Sequence, residues 1–206
     1  MLWWPFVSRL LTMGLRNKVE VQTGAIFAGA AALLILPLSF LISFMIAAGV
    51  HELCHFLVLR LSEVKLYRIS IGPLGASMET EAMDPGREVL CALAGPVGSF
   101  LLAACYRRIP VIALCALVQG SFNVLPIYPM DGGRVIRGIL ELLKVPEGER
   151  VLLYIQWVTA GAVAFVCLYG FLNWDLGFGV LIMGALVLLR VLPRKTPCKE
   201  AFFGVQ

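Results

Sequence analysis

Residues 24–59 read GAIFAGAAALLILPLSFLISFMIAAGVHELCHFLVL, and Glu52 is the only obligate charge among these 36 residues. A transmembrane helix needs about 20 predominantly apolar residues, so this run is too long for one comfortable span. Pro37 lies inside the run, and proline interrupts a helix because it lacks a backbone N–H and clashes with the preceding turn. We therefore expect a short span at residues 22–36, a tight turn at Pro37 and a second span at residues 38–60.

The rest of the chain is also too apolar for a water-soluble domain. Of its 206 residues, 60% are hydrophobic and only 15% are charged, which excludes an ordinary soluble protein. The predicted fold class is an all-α polytopic membrane protein with about six transmembrane helices. Residues 1–195 are expected to form a single transmembrane domain, and residues 196–206 a short cytoplasmic tail. The four further spans are predicted at residues 88–106, 109–128, 151–171 and 176–192.

The distribution of Lys and Arg supports the division at Pro37. Loops on the cytoplasmic side of a membrane carry an excess of positive charge. With six spans, 15 of the 17 Lys and Arg residues fall on one side and only Arg107 and Arg108 on the other, whereas one span at 24–59 would split them almost evenly. We predict that both termini are cytoplasmic. The net charge of +4 suits a face near anionic lipid and requires no nucleic acid as a partner.

Two internal segments are less apolar than the spans. Within residues 65–83, LYRISI alternates apolar and polar side chains and is followed by glycine and proline, which predicts a small β-hairpin at the cytoplasmic membrane surface. We expect the edge at residues 66–71 to accept an extended substrate as an added strand. Within residues 133–144, GRVIRGILELLK, apolar residues recur at helical spacing with basic residues between them. This second pattern predicts an amphipathic helix at the inner interface.

The second predicted span contains the motif His51-Glu-Leu-Cys-His55. On a helix, side chains at positions i and i+4 lie on one face, so the two imidazoles can hold one zinc ion together. Glu52 then stands beside the metal, where it can take a proton from bound water. The chain has only two histidines, and two histidines fall four residues apart by chance roughly 1 time in 100. The alternative is a pair of structural histidines, but ionisable groups at membrane depth by default mark a functional site.

A catalytic zinc site usually has three protein ligands and one open position. No third histidine exists, and the six cysteines lie scattered without a CxxC pair, so we expect a carboxylate as the third ligand. Asp175 is expected on the outer side and Asp84 in a loop. Asp131 remains, in the string NVLPIYPMDGG, whose prolines break a helix and whose glycines permit close backbone approach. Its alternative role is a helix cap before the amphipathic helix.

These motifs resemble those of the site-2 proteases, intramembrane zinc metalloproteases that cleave membrane-embedded substrates. The resemblance rests on HELCH, on ALAGPVGSF at residues 92–100 and on NVLPIYPMDGGRV at residues 123–135. It extends over about residues 38–145 in the family's order. Arrangement and length look most like the compact sporulation-type branch, which lacks a PDZ domain. The sequence departs from that branch in reaching only to Gln206, so we expect no CBS domain.

The resemblance implies a role for each matching residue. His51, His55 and Asp131 are implied as zinc ligands, and Glu52 as the general base. Asn123 is implied to help hold the substrate, although an asparagine in a span can equally bond a neighbouring helix. The implied activity is that of a zinc metalloendopeptidase that acts on membrane-bound proteins in a bacterial cell membrane. From the charge distribution we expect the active site to face the cytoplasm, and from the small size of the chain we expect a separate membrane partner to regulate it.

Two other functions fit part of the pattern. A non-hydrolytic membrane protein for zinc binding or transport would need the same ligands but not Glu52. A catalytically silent membrane scaffold would need neither the ligands nor the base. The glycine-rich segment with Gly95, Pro96 and Gly98 also keeps two interpretations, because small residues serve close helix packing as well as contact with an active site.

Overall fold

The computed structural model describes residues 18–72, 75–174 and 177–192. The predicted tail at residues 196–206 and Asp175 lie outside the described residues, and the assignment of one domain to residues 1–195 stays a prediction. The chain separates into two compact units whose boundary lies between Glu149 and Arg150. The described residues form β1 (Lys18–Val21), α1 (Thr23–Ile35), α2 (Leu38–Leu61), β2 (Leu66–Gly72), β3 (Gly75–Thr80), α3 (Pro85–Ala104), α4 (Pro110–Asn123), α5 (Asp131–Leu142), α6 (Gly148–Asn173) and α7 (Gly177–Val191).

Proline and capping residues set the starts of several helices. Pro37 separates α1 from α2, as predicted, and occupies the N-cap of α2. At the N-cap of α3, the carboxylate of Asp84 accepts a hydrogen bond from the N–H of Gly86 at 3.0 Å, and Pro85 follows in the first turn. Pro110 lies in the first turn of α4. Proline is tolerated at these positions because the first N–H groups of a helix have no helical partner.

Three of the predicted spans form helices that are long and apolar enough to cross a membrane, namely α2, α3 and α6, with 24, 20 and 26 residues. The other three are α1, α4 and α7, with 13, 14 and 15 residues, fewer than the about 20 that cross the hydrocarbon core. Within the described structure α1 buries none of its residues, and Leu34 is 88% exposed. Because such apolar surface is costly in water, these helices indicate an integral, multi-pass membrane protein.

The small sheet has three strands instead of the predicted two. β2 and β3 are antiparallel, with Ile69 opposite Met78, which confirms the predicted hairpin. β1 was not predicted, and it pairs in parallel with β2 in the order β1-β2-β3. The expectation that the edge at residues 66–71 accepts a substrate strand is therefore wrong, because β2 is hydrogen-bonded on both sides. Among the described strands, only the outer edges of β1 and β3 offer unpaired backbone groups.

The helices α2, α3, α4 and α5 pack around one another. Small residues permit the close approach of α2 and α4, where Ala47 packs with Cys115 and Ala116. A single stripe of α2 faces this interior, because its buried residues recur every fourth position. They are Ser43, Ala47, His51, His55 and Leu59.

The predicted amphipathic helix is confirmed as a helix and corresponds to α5. One of its faces is covered by the beginning of α3. A Cβ at Gly138 would lie 2.6 Å from the Cγ2 atom of Val89 and 3.1 Å from the carbonyl oxygen of Pro85. Glycine at position 138 thus allows α5 to pack on α3. The location of α5 at the membrane interface stays a prediction.

Candidate metal centre

Both histidines of the HELCH motif lie on the buried stripe of α2. His51 is 2% exposed and His55 is 6% exposed, and about one helical turn separates them. Their rings meet edge to face with centroids 4.8 Å apart, and their Nε2 atoms are 3.2 Å apart. The four-residue spacing thus directs both Nε2 atoms toward one point.

Asp131 reaches the same point from the first residue of α5. Its Oδ2 lies 3.1 Å from Nε2 of His51 and 3.3 Å from Nε2 of His55. Asp131 is not the N-cap of α5, which was its alternative role. The N-cap of α5 is Met130, and no side-chain hydrogen bond to that cap occurs among the described residues.

Two glycines explain how an aspartate at the start of a helix comes to lie against α2. A Cβ at Gly132 would collide with the carbonyl oxygen of Val124, and a Cβ at Gly133 would collide with the backbone nitrogen of Tyr128. The first turn of α5 therefore lies directly on the backbone of the segment that follows α4. Only glycine permits this approach, so the DGG sequence places Asp131.

The chemistry and spacing of the three side chains fit a zinc ion. Donor atoms around a tetrahedral zinc lie about 3.3 Å apart, because Zn–N and Zn–O bonds are about 2.0 to 2.1 Å long. The three distances within this cluster are 3.1, 3.2 and 3.3 Å. Two ring nitrogens and a carboxylate oxygen this close together, and largely removed from water, need a shared proton or a cation between them, and a cation satisfies all three at once. Three protein ligands also match the number in catalytic zinc sites, where the fourth ligand is water or substrate.

The far sides of both imidazole rings are held by α3. Nδ1 of His55 donates a hydrogen bond to the carbonyl oxygen of Cys91 at 2.7 Å, since a carbonyl can only accept. Nδ1 of His51 lies 2.9 Å from Oγ of Ser99. Gly95 lies between these contacts, and a Cβ there would collide with the His55 ring. The contact with Cys91 fixes the His55 proton on Nδ1, which leaves Nε2 free to bind a metal.

Glu52 and Asn123 border this cluster. Glu52 is partly buried and interacts electrostatically with His51, His55 and Asp131. Asn123, the last residue of α4, places its Nδ2 3.4 Å from Nε2 of His51. The five side chains that the sequence singled out therefore lie in one region. Their catalytic, metal-binding and substrate-binding roles stay predictions.

Neighbouring candidates have other structural roles. Asp84 caps α3, which accounts for its position in the loop before that helix. Gly98 serves helix packing, because a Cβ there would collide with Sγ of Cys54. All cysteines within the described residues are free thiols, in agreement with their interpretation as small hydrophobic residues.

Sequence reasoning missed the hydrogen-bonding supports on α3. Cys91, Gly95 and Ser99 contact the two imidazoles; of these, only Gly95 was named from the sequence, for helix packing or contact with an active site. Their spacing of four residues is a signal that the sequence contains, since it places them on one face of a helix. This spacing indicates a supporting role only once α3 is seen to pack against α2, which carries His51 and His55.

Comparison with known proteins agrees with this geometry. No family model matches the chain. It is 30% identical over 109 residues to a zinc metalloprotease of Methanocaldococcus jannaschii, a match that covers 46% of this chain and 32% of that protein. It is also 30% identical over 156 residues to Rip3 of Mycobacterium tuberculosis, named as a zinc metalloprotease, with 66% of this chain and 38% of that protein covered. The chain thus spans about a third of the length of these relatives.

Among solved structures, the chain is similar to the site-2 protease from Methanocaldococcus jannaschii. The TM-score is 0.60 at 21% sequence identity, over 86% of this chain and 90% of that chain. A structural match at this level of sequence identity shows a shared fold, whereas the sequence matches show common ancestry. The chain therefore has the fold of a site-2 protease and is a distant relative of zinc metalloproteases.

Proposed function

We propose that this chain is an intramembrane zinc metalloprotease that hydrolyses peptide bonds in or near the transmembrane segments of membrane-bound proteins. The observation that carries the proposal is the convergence of His51, His55 and Asp131 at mutual distances of 3.1 to 3.3 Å, beside Glu52. The fold of a site-2 protease and the zinc metalloprotease relatives support it. Membership of the compact sporulation-type branch and control by a membrane partner belong to the same proposal.

In the proposed mechanism, His51, His55 and Asp131 would hold the zinc ion. When bound, zinc makes a water molecule more acidic and polarises the scissile carbonyl group. Glu52 takes a proton from that water and later delivers it to the nitrogen of the leaving amine. The amide of Asn123 donates a hydrogen bond to the substrate peptide. A substrate helix must first unwind locally, because its peptide groups are otherwise engaged in its own hydrogen bonds.

The test compares the native protein with Glu52→Gln in membranes. We expect Glu52→Gln to retain zinc and to lose hydrolysis, because the amide cannot accept the proton of the water. Metal analysis of the purified protein measures the first effect. Comparison of membrane proteomes measures the second, through a pair of fragments that appears only with the native protein. Glu63→Gln is the matched control, since Glu63 is exposed beyond the end of α2.

The metal ligands are tested by Asp131→Asn, with Asp84→Asn as the control because Asp84 only caps α3. We expect zinc to be lost from the first variant and kept by the second. Full biological function in Glu52→Gln, with zinc bound, would favour a zinc-binding or transport protein instead. A native protein without stoichiometric zinc would favour a scaffold.

A further inference from the structure

Ser99 is a fully buried hydroxyl residue in the middle of α3. Its exposed fraction is 0%, and its Oγ lies 2.9 Å from Nδ1 of His51. A hydroxyl inside a membrane-spanning helix needs a hydrogen-bond partner, because the hydrocarbon core supplies none. His51 is this partner, and the contact joins α3 to the metal-binding face of α2.

At Ser99, one face of α3 packs against the buried stripe of α2 that carries His51 and His55. Cys91, Gly95 and Ser99 recur every four residues on one face of α3. The carbonyl of Cys91 contacts His55, Gly95 leaves room for the rings, and Ser99 contacts His51. Each imidazole thus has one hydrogen-bonding support on α3, with a glycine between the two supports.

We propose that Ser99 is a positioning residue that accepts a hydrogen bond from the Nδ1–H of His51 and thereby fixes the tautomer whose Nε2 binds the metal. The inference rests on the proposed function, since it requires a metal at Nε2. A neutral imidazole carries one N–H, and the tautomer with that proton on Nε2 cannot bind a metal through Nε2. Ser99 therefore does for His51 what the carbonyl of Cys91 does for His55.

Close helix packing is the competing role for Ser99. Gly120 of α4 lies so near that a Cβ there would be 2.9 Å from Cβ of Ser99. The substitution Ser99→Ala separates the two roles, because it keeps the Cβ atom and removes only the hydroxyl. The contact with α4 survives in this variant, whereas the hydrogen bond to His51 is lost.

The experiment measures zinc affinity and histidine tautomers in the full-length protein in detergent. Outer hydrogen-bond partners of a metal ligand contribute about 10- to 100-fold to metal affinity, so we expect the zinc Kd from chelator competition to rise by that factor in Ser99→Ala. The chain contains only two histidines, so nitrogen-15 labelling of histidine resolves both rings by NMR. With zinc bound, we expect the ring signals of His51 to change and those of His55 to stay.

Two further variants control this experiment. Ser43→Ala also removes a buried hydroxyl from a span, but Ser43 donates to the carbonyl of Ser39 at 2.8 Å, so its zinc affinity should be native. Ser99→Cys puts a slightly larger and weaker acceptor in place of the hydroxyl and should fall between native and Ser99→Ala. It takes the place of Ser99→Ala if that variant does not fold.

The outcomes distinguish the inference from the proposed function. A native zinc Kd together with native His51 signals in Ser99→Ala overturns the positioning role and leaves the protease function intact. A change in the His55 signals as large as that of His51 also overturns it, because a general disturbance of packing would then explain the loss. A native protein that binds no zinc overturns the proposed function itself.

Discussion

The side chain of Asn123 lies beside the ring nitrogen of His51 that the proposed zinc ion would use. Its Nδ2 lies 3.4 Å from Nε2 of His51, and this nitrogen has a single lone pair. Once His51 gives the lone pair to zinc, the Asn123 amide can donate to the peptide carbonyl under attack. We expect Asn123→Ala to lower kcat about 100-fold, a typical effect of removing one such donor, with zinc content unchanged. Turnover of a purified membrane substrate and zinc per chain measure the two effects.

A matched control for this prediction lies in α6. Nδ2 of Asn173 donates to the carbonyl of Tyr169 at 3.0 Å, so Asn173→Ala removes an asparagine amide from a span without touching the metal cluster. Its turnover should be native. If Asn123→Ala instead lost zinc in proportion to turnover, Asn123 would support the metal cluster and not the substrate.

The sequence indicated the candidate metal ligands but not the hydrogen-bonding supports Cys91 and Ser99. His51, His55 and Asp131 could be recognised because zinc needs donors at particular spacings and because ionisable groups are rare in spans. The carbonyl of Cys91 could not, because every residue has a carbonyl and only the packing of α3 on α2 selects this one. Ser99 has a spacing that ordinary helix packing also produces.

At the scale of elements, the position of α5 depends on the glycines in its first turn. A Cβ at Gly133 would collide with the backbone of Tyr128, and backbone atoms cannot move aside as the end of a side chain can. Overpacking costs about 1 to 3 kcal/mol, so we expect Gly133→Ala to displace Asp131 and to weaken zinc binding about 10- to 100-fold. Chelator competition measures the affinity.

The control for this substitution is Gly161→Ala in α6. A Cβ at Gly161 meets no atom within 4 Å in the described part of the chain, and alanine favours a helix over glycine by about 1 kcal/mol. This variant should keep native zinc affinity. Native affinity in Gly133→Ala as well would mean that the close backbone contact does not hold Asp131 in place.

Elements with a strong local pattern were predicted, and those that depend on distant partners were not. Every predicted span contains a helix, and the hairpin formed as expected. The end of α4 was predicted five residues too late, at residue 128 instead of Asn123. The residue before a proline disfavours the helical conformation, so Pro126 ends the helix before the chain reaches the proline. β1 has only four residues, KVEV, and its partner strand β2 lies far along the chain, so its polar and apolar alternation is too short to predict a strand.

At the scale of the whole molecule, the candidate site belongs to the first compact unit. The candidate metal ligands come from α2 and α5, the supports of the two imidazoles from α3, and Asn123 from α4. Large apolar side chains elsewhere in the described chain are exposed, among them Phe27 at 72% and Phe178 at 74%, which suits contact with lipid. Polar chemistry is therefore concentrated where four helices exclude lipid. Only the orientation in the membrane then decides from which side water reaches Glu52.

The orientation predicted from the distribution of basic residues can be tested with native cysteines. Cys105 is exposed and lies beside Arg107 and Arg108, for which the charge distribution predicts the outer side. We expect a membrane-impermeant maleimide to label intact cells at Cys105, and Cys105→Ser to abolish the signal. Cys115→Ser should leave labelling unchanged, because Cys115 is 3% exposed. Labelling of Cys105 only in inside-out vesicles would invert the orientation. His51 lies nine residues before Arg60, about 14 Å along α2 at 1.5 Å per residue, so that result would turn the metal cluster toward the outer side.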